Sequence, residues 1–134
     1  MKILLISHGM MASGTKETLS LFTNTDSITA ISAYTEKCEH PDEALKQFFD
    51  EAGSERVVAF SDILCGSVNQ YLFAYKERPN TYIFCGMNLP MLLQATMLND
   101  ESTPEEIEAV AEEGKNGIIS MQTYQMPTMD DGDE

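Results

Sequence analysis

Short apolar runs alternate with helix-patterned segments along most of the chain. The first run, residues 2–7 (KILLIS), is too continuous for a strand with one wet face and predicts a strand buried on both sides. Residues 12–23 then suit a helix, with Ala12, Leu19 and Phe22 turned toward a sheet. Residues 27–33 (SITAISA), β-branched at alternating positions, predict a second strand. Pro41, with its preset φ, followed by Asp42 and Glu43 at the positive end of the helix dipole, marks a helix start. Ala44, Leu45, Phe48, Phe49 and Ala52 share one face of that helix, and Gly53 ends it.

The alternation continues. Residues 56–62 (RVVAFSD) predict the third strand, 66–77 a helix with Leu72 and Phe73 inward, and 80–86 (NTYIFCG) the fourth strand. Residues 91–99 make a mostly apolar helix. The next helix start is the clearest in the chain. Thr103 and Glu106 have capping-box spacing, Pro104 takes the first helical position, and Ile107, Val110 and Ala111 form a stripe. Residues 117–124 (GIISMQTY) are a fifth strand candidate, one able to sit at an edge, run antiparallel or pair with another subunit.

This pattern predicts an α/β domain over residues 1–124: a mainly parallel open sheet with helices on both faces, plus a C-terminal edge strand. Residues 125–134, charged, interrupted by proline and without an apolar period, read as a disordered acidic tail.

Composition narrows the classes. A hydrophobic fraction of 43% in 134 residues fits one domain with a proper core. No apolar run approaches the roughly 20 residues of a membrane span, and the N-terminal run lacks the pattern of an export signal. Cys38, Cys65 and Cys85 are odd in number and lack metal-type spacing, which fits reduced thiols in a cytoplasmic protein. A formal net charge of −14 argues against nucleic acid and anionic membrane surfaces as partners. The same charge can steer a basic protein partner.

Candidate chemistry lies where strands end. Open parallel sheets bind ligands beyond the carboxyl ends of their strands, where strand order reverses. Two such ends carry unusual polar groups: SHG after strand one and SDILCGS after strand three. In the order 2-1-3-4 these strands are neighbours, and His8 and Asp62 face one another. A carboxylate accepting from one ring nitrogen fixes the tautomer and leaves the other nitrogen free as base or nucleophile. Gly9, and Gly66 with Ser67, can add backbone N–H groups and a hydroxyl suited to a phosphoryl group. Two other readings stay open on these residues alone. His8 can be a plain hydrogen-bonded loop residue, and Ser67, His8 and Asp62 are the residue types of a hydrolase triad, though LCGSVNQ is not a G-x-S-x-G elbow. No nucleotide-binding glycine loop is present.

Three segments, ILLISHGMMASG, VVAFSDILCGSVNQ and GMNLPMLLQATM, resemble the IIA domain of mannose-type (mannose/fructose/sorbose) sugar phosphotransferase systems, in order and up to about residue 122. The resemblance implies a phosphoryl carrier without metal, nucleotide or other cofactor. His8 would accept the group from the phosphocarrier protein HPr and pass it to a IIB domain, with the membrane IIC and IID components taking part indirectly. It further implies that Asp62 hydrogen-bonds His8 and that the phosphoryl group sits near Ser67 among backbone amides. It also implies a homodimer in which the fifth strand is exchanged. The family usually has Gly-Gly-Ser-Pro where this chain has Cys65-Gly66-Ser67-Val68, so the cradle is expected to differ in detail. The phosphoryl-donor domain of dihydroxyacetone kinase systems and a non-catalytic regulatory module of the same fold are the alternatives.

Overall fold

The computed structural model describes residues 1–127; most of the expected acidic tail, residues 128–134, lies outside the described residues. Four strands form one sheet in the order β2-β1-β3-β4. They are β1 (Lys2–His8), β2 (Ile28–Ala33), β3 (Val57–Ser61) and β4 (Thr81–Cys85), and every pairing is parallel. The central strands β1 and β3 are the continuous apolar runs, as strands covered on both faces require, and their buried hydroxyls, Ser7 and Ser61, are each hydrogen-bonded.

Alternation along β1 divides the core. Ile3 and Leu5 join Val58 and Phe60 in one cluster, packed by Ala12 and Leu19 of α1 (Met11–Leu19) and by Met91, Leu92 and Ala95 of α4 (Leu89–Ala95). Ile107 of α5 (Pro104–Glu108) and Val110 of α6 (Val110–Asn116) complete that side. Leu4 and Ile6 point the other way, onto Leu45, Phe48 and Phe49 of α2 (Pro41–Ala52) and Val68 and Leu72 of α3 (Ser67–Phe73). The capping box forms: Thr103 Oγ1 accepts from the Glu106 amide, and the Glu106 carboxylate accepts from the Thr103 amide. Such a cap contributes about 1 kcal/mol.

Several expectations need correction. Helix α1 ends at Leu19 rather than near residue 23, because the chain tightens into a turn in which the Phe22 amide donates to the Leu19 carbonyl. Phe22 thereby leaves the helical face and is 64% exposed. Phe73, expected inward, lies at the end of α3 and is exposed as well. Residues 117–124 form no strand within this chain. After α6 they turn, with the Tyr124 amide donating to the Ser120 carbonyl, and no ladder pairs them with β4.

Candidate functional site

His8 is the last residue of β1, and Asp62 follows the last residue of β3. Because β1 and β3 are adjacent and parallel, both side chains emerge at the same rim, the carboxyl end of the sheet. The expected pairing forms. Asp62 Oδ2 lies 2.9 Å from His8 Nδ1, and the same oxygen accepts the His8 backbone N–H at 2.9 Å. Asp62 Oδ1 accepts the Ile63 N–H. Three contacts therefore fix the carboxylate, and it in turn fixes the ring.

The charge balance at Asp62 follows from these contacts. Partial burial pushes its carboxyl pKa up, but the His8 backbone N–H, the His8 ring and the Ile63 N–H outweigh that and hold it below the ordinary value. An ionised carboxylate only accepts, so Nδ1 is the donor in this contact, and in the neutral form of the ring the lone pair lies on Nε2.

Nε2 faces the loop that leads into α3. Gly66 has φ +108°, and a Cβ built there would sit 3.0 Å from Nε2. A side chain there would crowd the Nε2–Cε1 edge of the His8 ring. Replacing Gly66 with alanine is expected to slow any group transfer at His8 at least tenfold. It combines a positive-φ strain of about 1–3 kcal/mol with a methyl group pressed against the Nε2–Cε1 edge of the ring. Single-turnover kinetics measure this directly. An alanine variant as fast as the native protein would show that this crowding is without effect.

The other expected residues divide. Ser67 begins α3 and sits beside Gly66. Gly9 is at the rim, with φ +64° that lets the chain turn off β1, but its N–H already donates to the Ala33 carbonyl at 2.9 Å. Its amide is thus not a free donor, which corrects the expectation for that residue. The amides of Gly66 and Met10 make no hydrogen bond among the described residues. Val68 is fully buried in the core beside Leu72, whereas Cys65 is exposed, so the added side chain at the turn points to solvent.

One site residue was missed in the sequence. Tyr34 follows β2, and its hydroxyl is hydrogen-bonded to Ser67 Oγ. Its ring centre lies 6.0 Å from that of His8. The signal was available in the strand order. The register pairs Ala33 with His8, so the end of β2 reaches the same rim.

Comparison with known proteins places these features in context. The family model of the phosphotransferase system fructose IIA component (EIIA-man) matches residues 2–112. Among curated proteins no match is found. The fold is similar to a Klebsiella pneumoniae protein described as a phosphoenolpyruvate-dependent sugar phosphotransferase system permease (TM-score 0.83, 21% identity, 91% of each chain). It is similar also to the mannose/sorbose-specific IIA subunit from Enterococcus faecalis (TM-score 0.77, 21% identity, 96% of this chain and 98% of that one). A third similar structure is the IIA protein associated with the fucose utilization operon of Streptococcus pneumoniae (TM-score 0.75, 23% identity, 90% and 93%).

Proposed function

This chain belongs to the fructose/mannose-type IIA component family of the sugar phosphotransferase system, and on that premise we propose that it carries a phosphoryl group on His8. In this reading phospho-HPr donates the group and a IIB domain receives it. The observation that carries the reading is the pairing of His8 Nδ1 with Asp62 Oδ2 at 2.9 Å, with Gly66, which has no side chain, beside the Nε2–Cε1 edge of the ring.

The reaction is in-line displacement between two imidazoles. The Nε2 lone pair attacks phosphorus, the new N–P bond forms as the donor's N–P bond breaks, and that electron pair returns to the donor ring. His8 keeps its Nδ1 proton throughout. Asp62 holds the ring in place and offsets the positive charge the ring acquires, so transfer rests on positioning and electrostatics. The Ser67 hydroxyl and the amides of Gly66 and Met10 suit the three phosphoryl oxygens. Met10 and Met11 are 47% and 46% exposed beside His8, which supports an apolar rim where a carrier protein docks.

No helix among the described residues is long and apolar enough to cross a membrane. We place the protein in the cytoplasm, acting on sugar uptake through separate membrane components. The test is incubation with phosphoenolpyruvate, enzyme I and HPr. Acid-labile, alkali-stable phosphate on the protein is expected, and no label from phospho-HPr would overturn the reading.

We propose further that the protein is a homodimer in which residues 117–124 of one protomer add to the outer edge of the partner's β4. Two observations support this. Ile118 and Met121 are 77% and 74% exposed, and β4 is paired on one side only. Light scattering is expected to give twice the chain mass of 14.9 kDa. A chain ending at residue 116 is expected to give a single copy, and a dimer of that shortened chain would rule out the exchange.

A further inference from the structure

Tyr34 stands in an unusual backbone conformation. Only two non-glycine residues among those described have positive φ, Asn80 at 57° and Tyr34 at 62°. Asparagine tolerates this region, whereas an aromatic residue there is an outlier that surrounding contacts must hold. The contacts are present. The Tyr34 amide donates to the Cys38 carbonyl at 2.8 Å, the Cys38 amide to the Thr35 carbonyl at 3.0 Å, and Thr35 Oγ1 to the Ser32 carbonyl at 2.7 Å. Together they close a tight loop immediately after β2.

Burial does not account for this arrangement, since Tyr34 remains 51% exposed. What the strained conformation achieves is placement. It carries the ring over the rim beside His8 and brings the phenol hydroxyl onto Ser67 Oγ. Ser67 has one hydroxyl proton. If it pointed at Tyr34, the serine could offer only lone pairs to an anion. With Tyr34 as donor, the serine proton turns outward, and each hydrogen bond in the chain polarises the next.

We propose that Tyr34 is a positioning residue for phosphoryl transfer: its hydroxyl donates to Ser67 Oγ and aims the serine proton at a phosphoryl oxygen on His8. The proposal rests on the assignment of His8 as phosphoryl acceptor made above. It adds a residue supplied by β2, so that the site draws on the ends of β1, β2 and β3.

The experiment compares Tyr34→Phe, Ser67→Ala and the double variant in single-turnover phosphorylation. Two donors are used: phospho-HPr and the small molecule phosphoramidate. Phenylalanine keeps the ring and every backbone contact of the loop, so melting temperature and saturation by phospho-HPr should stay at native values. The rate constant is expected to fall about tenfold in either single variant, the size of one lost hydrogen bond. The double variant should be no slower than the slower single, because both changes break one relay.

A native rate for Tyr34→Phe, or effects of the two changes that multiply, would overturn the proposal. Labelling of native protein by phosphoramidate but not by phospho-HPr would refute the carrier assignment alone, and Tyr34 would then stand or fall on the phosphoramidate rates. Labelling by neither donor would overturn both.

Discussion

His8→Ala is expected to take no phosphoryl group from phospho-HPr, against stoichiometric labelling of the native protein, while keeping its fold. The chemistry depends on one lone pair, that of Nε2, and no neighbouring side chain supplies an equivalent. His40, the only other histidine, is exposed at the start of α2 on a separate loop. The fold survives because the His8 side chain is 40% exposed and the main chain of β1 is unchanged. Asp62 loses its ring partner but keeps the backbone N–H groups of His8 and Ile63. It is therefore not left as an unpaired buried charge, and the stability cost should be about 1 kcal/mol. Acid-labile label and chemical denaturation measure the two halves of this expectation. Native-level label on His8→Ala would remove His8 from the mechanism.

Asp62→Asn is expected to slow transfer by about 10²–10³-fold, the range in which an orienting carboxylate matters to a histidine it holds. The structure explains why the amide is a poor substitute. Both carboxylate oxygens accept: Oδ2 takes two donors from His8, and Oδ1 takes the Ile63 N–H. An amide has one acceptor oxygen, so its NH₂ must face either Ile63 or His8, donor against donor. Facing His8, it favours the tautomer with the proton on Nε2, which removes the nucleophile. In either orientation the negative charge that offsets the phospho-imidazolium is gone. Single-turnover kinetics check the rate; an asparagine variant within threefold of native would refute this role.

The same residue sets a pH dependence with a definite sign. The Asp62 carboxyl is held below its ordinary value of 3.8 in the folded protein. Its stabilising contribution is therefore present at neutral pH. It begins to fade near 3.8 and is lost as pH falls through the lower folded value. Native and Asp62→Asn proteins should differ in stability at neutral pH and converge in acid.

How much of this was legible in the sequence follows the physics of each feature. The continuous apolar runs marked β1 and β3 as doubly covered strands, and Thr103 with Glu106 marked a cap, because these signals are local. The His8–Asp62 pairing was legible because strand adjacency alone brings the two strand ends together. The failures were at ends of elements and at backbone donors. Phe22 fits a helical face in sequence, but a turn after Leu19 takes it off that face. Gly9 has the residue type of an anion-binding turn, yet its amide is spent on Ala33, a fact of register that spacing does not reveal. Tyr34 was missed since no motif contains it; its position depends on β2 lying beside β1 and on a positive φ no propensity predicts. Residues 117–124 have strand composition, yet among the described residues no ladder includes them, because pairing depends on a free edge within reach and not on composition.

The central claim is that Asp62 holds one ring nitrogen of His8 so that the other bonds phosphorus. It is tested most directly by ¹⁵N–¹H and ³¹P NMR of the protein phosphorylated by phospho-HPr, with ring-¹⁵N histidine. Phosphorus coupled to Nε2 of His8, with the proton on Nδ1, is the predicted result. Phosphorus on Nδ1, or on any residue other than His8, would contradict it.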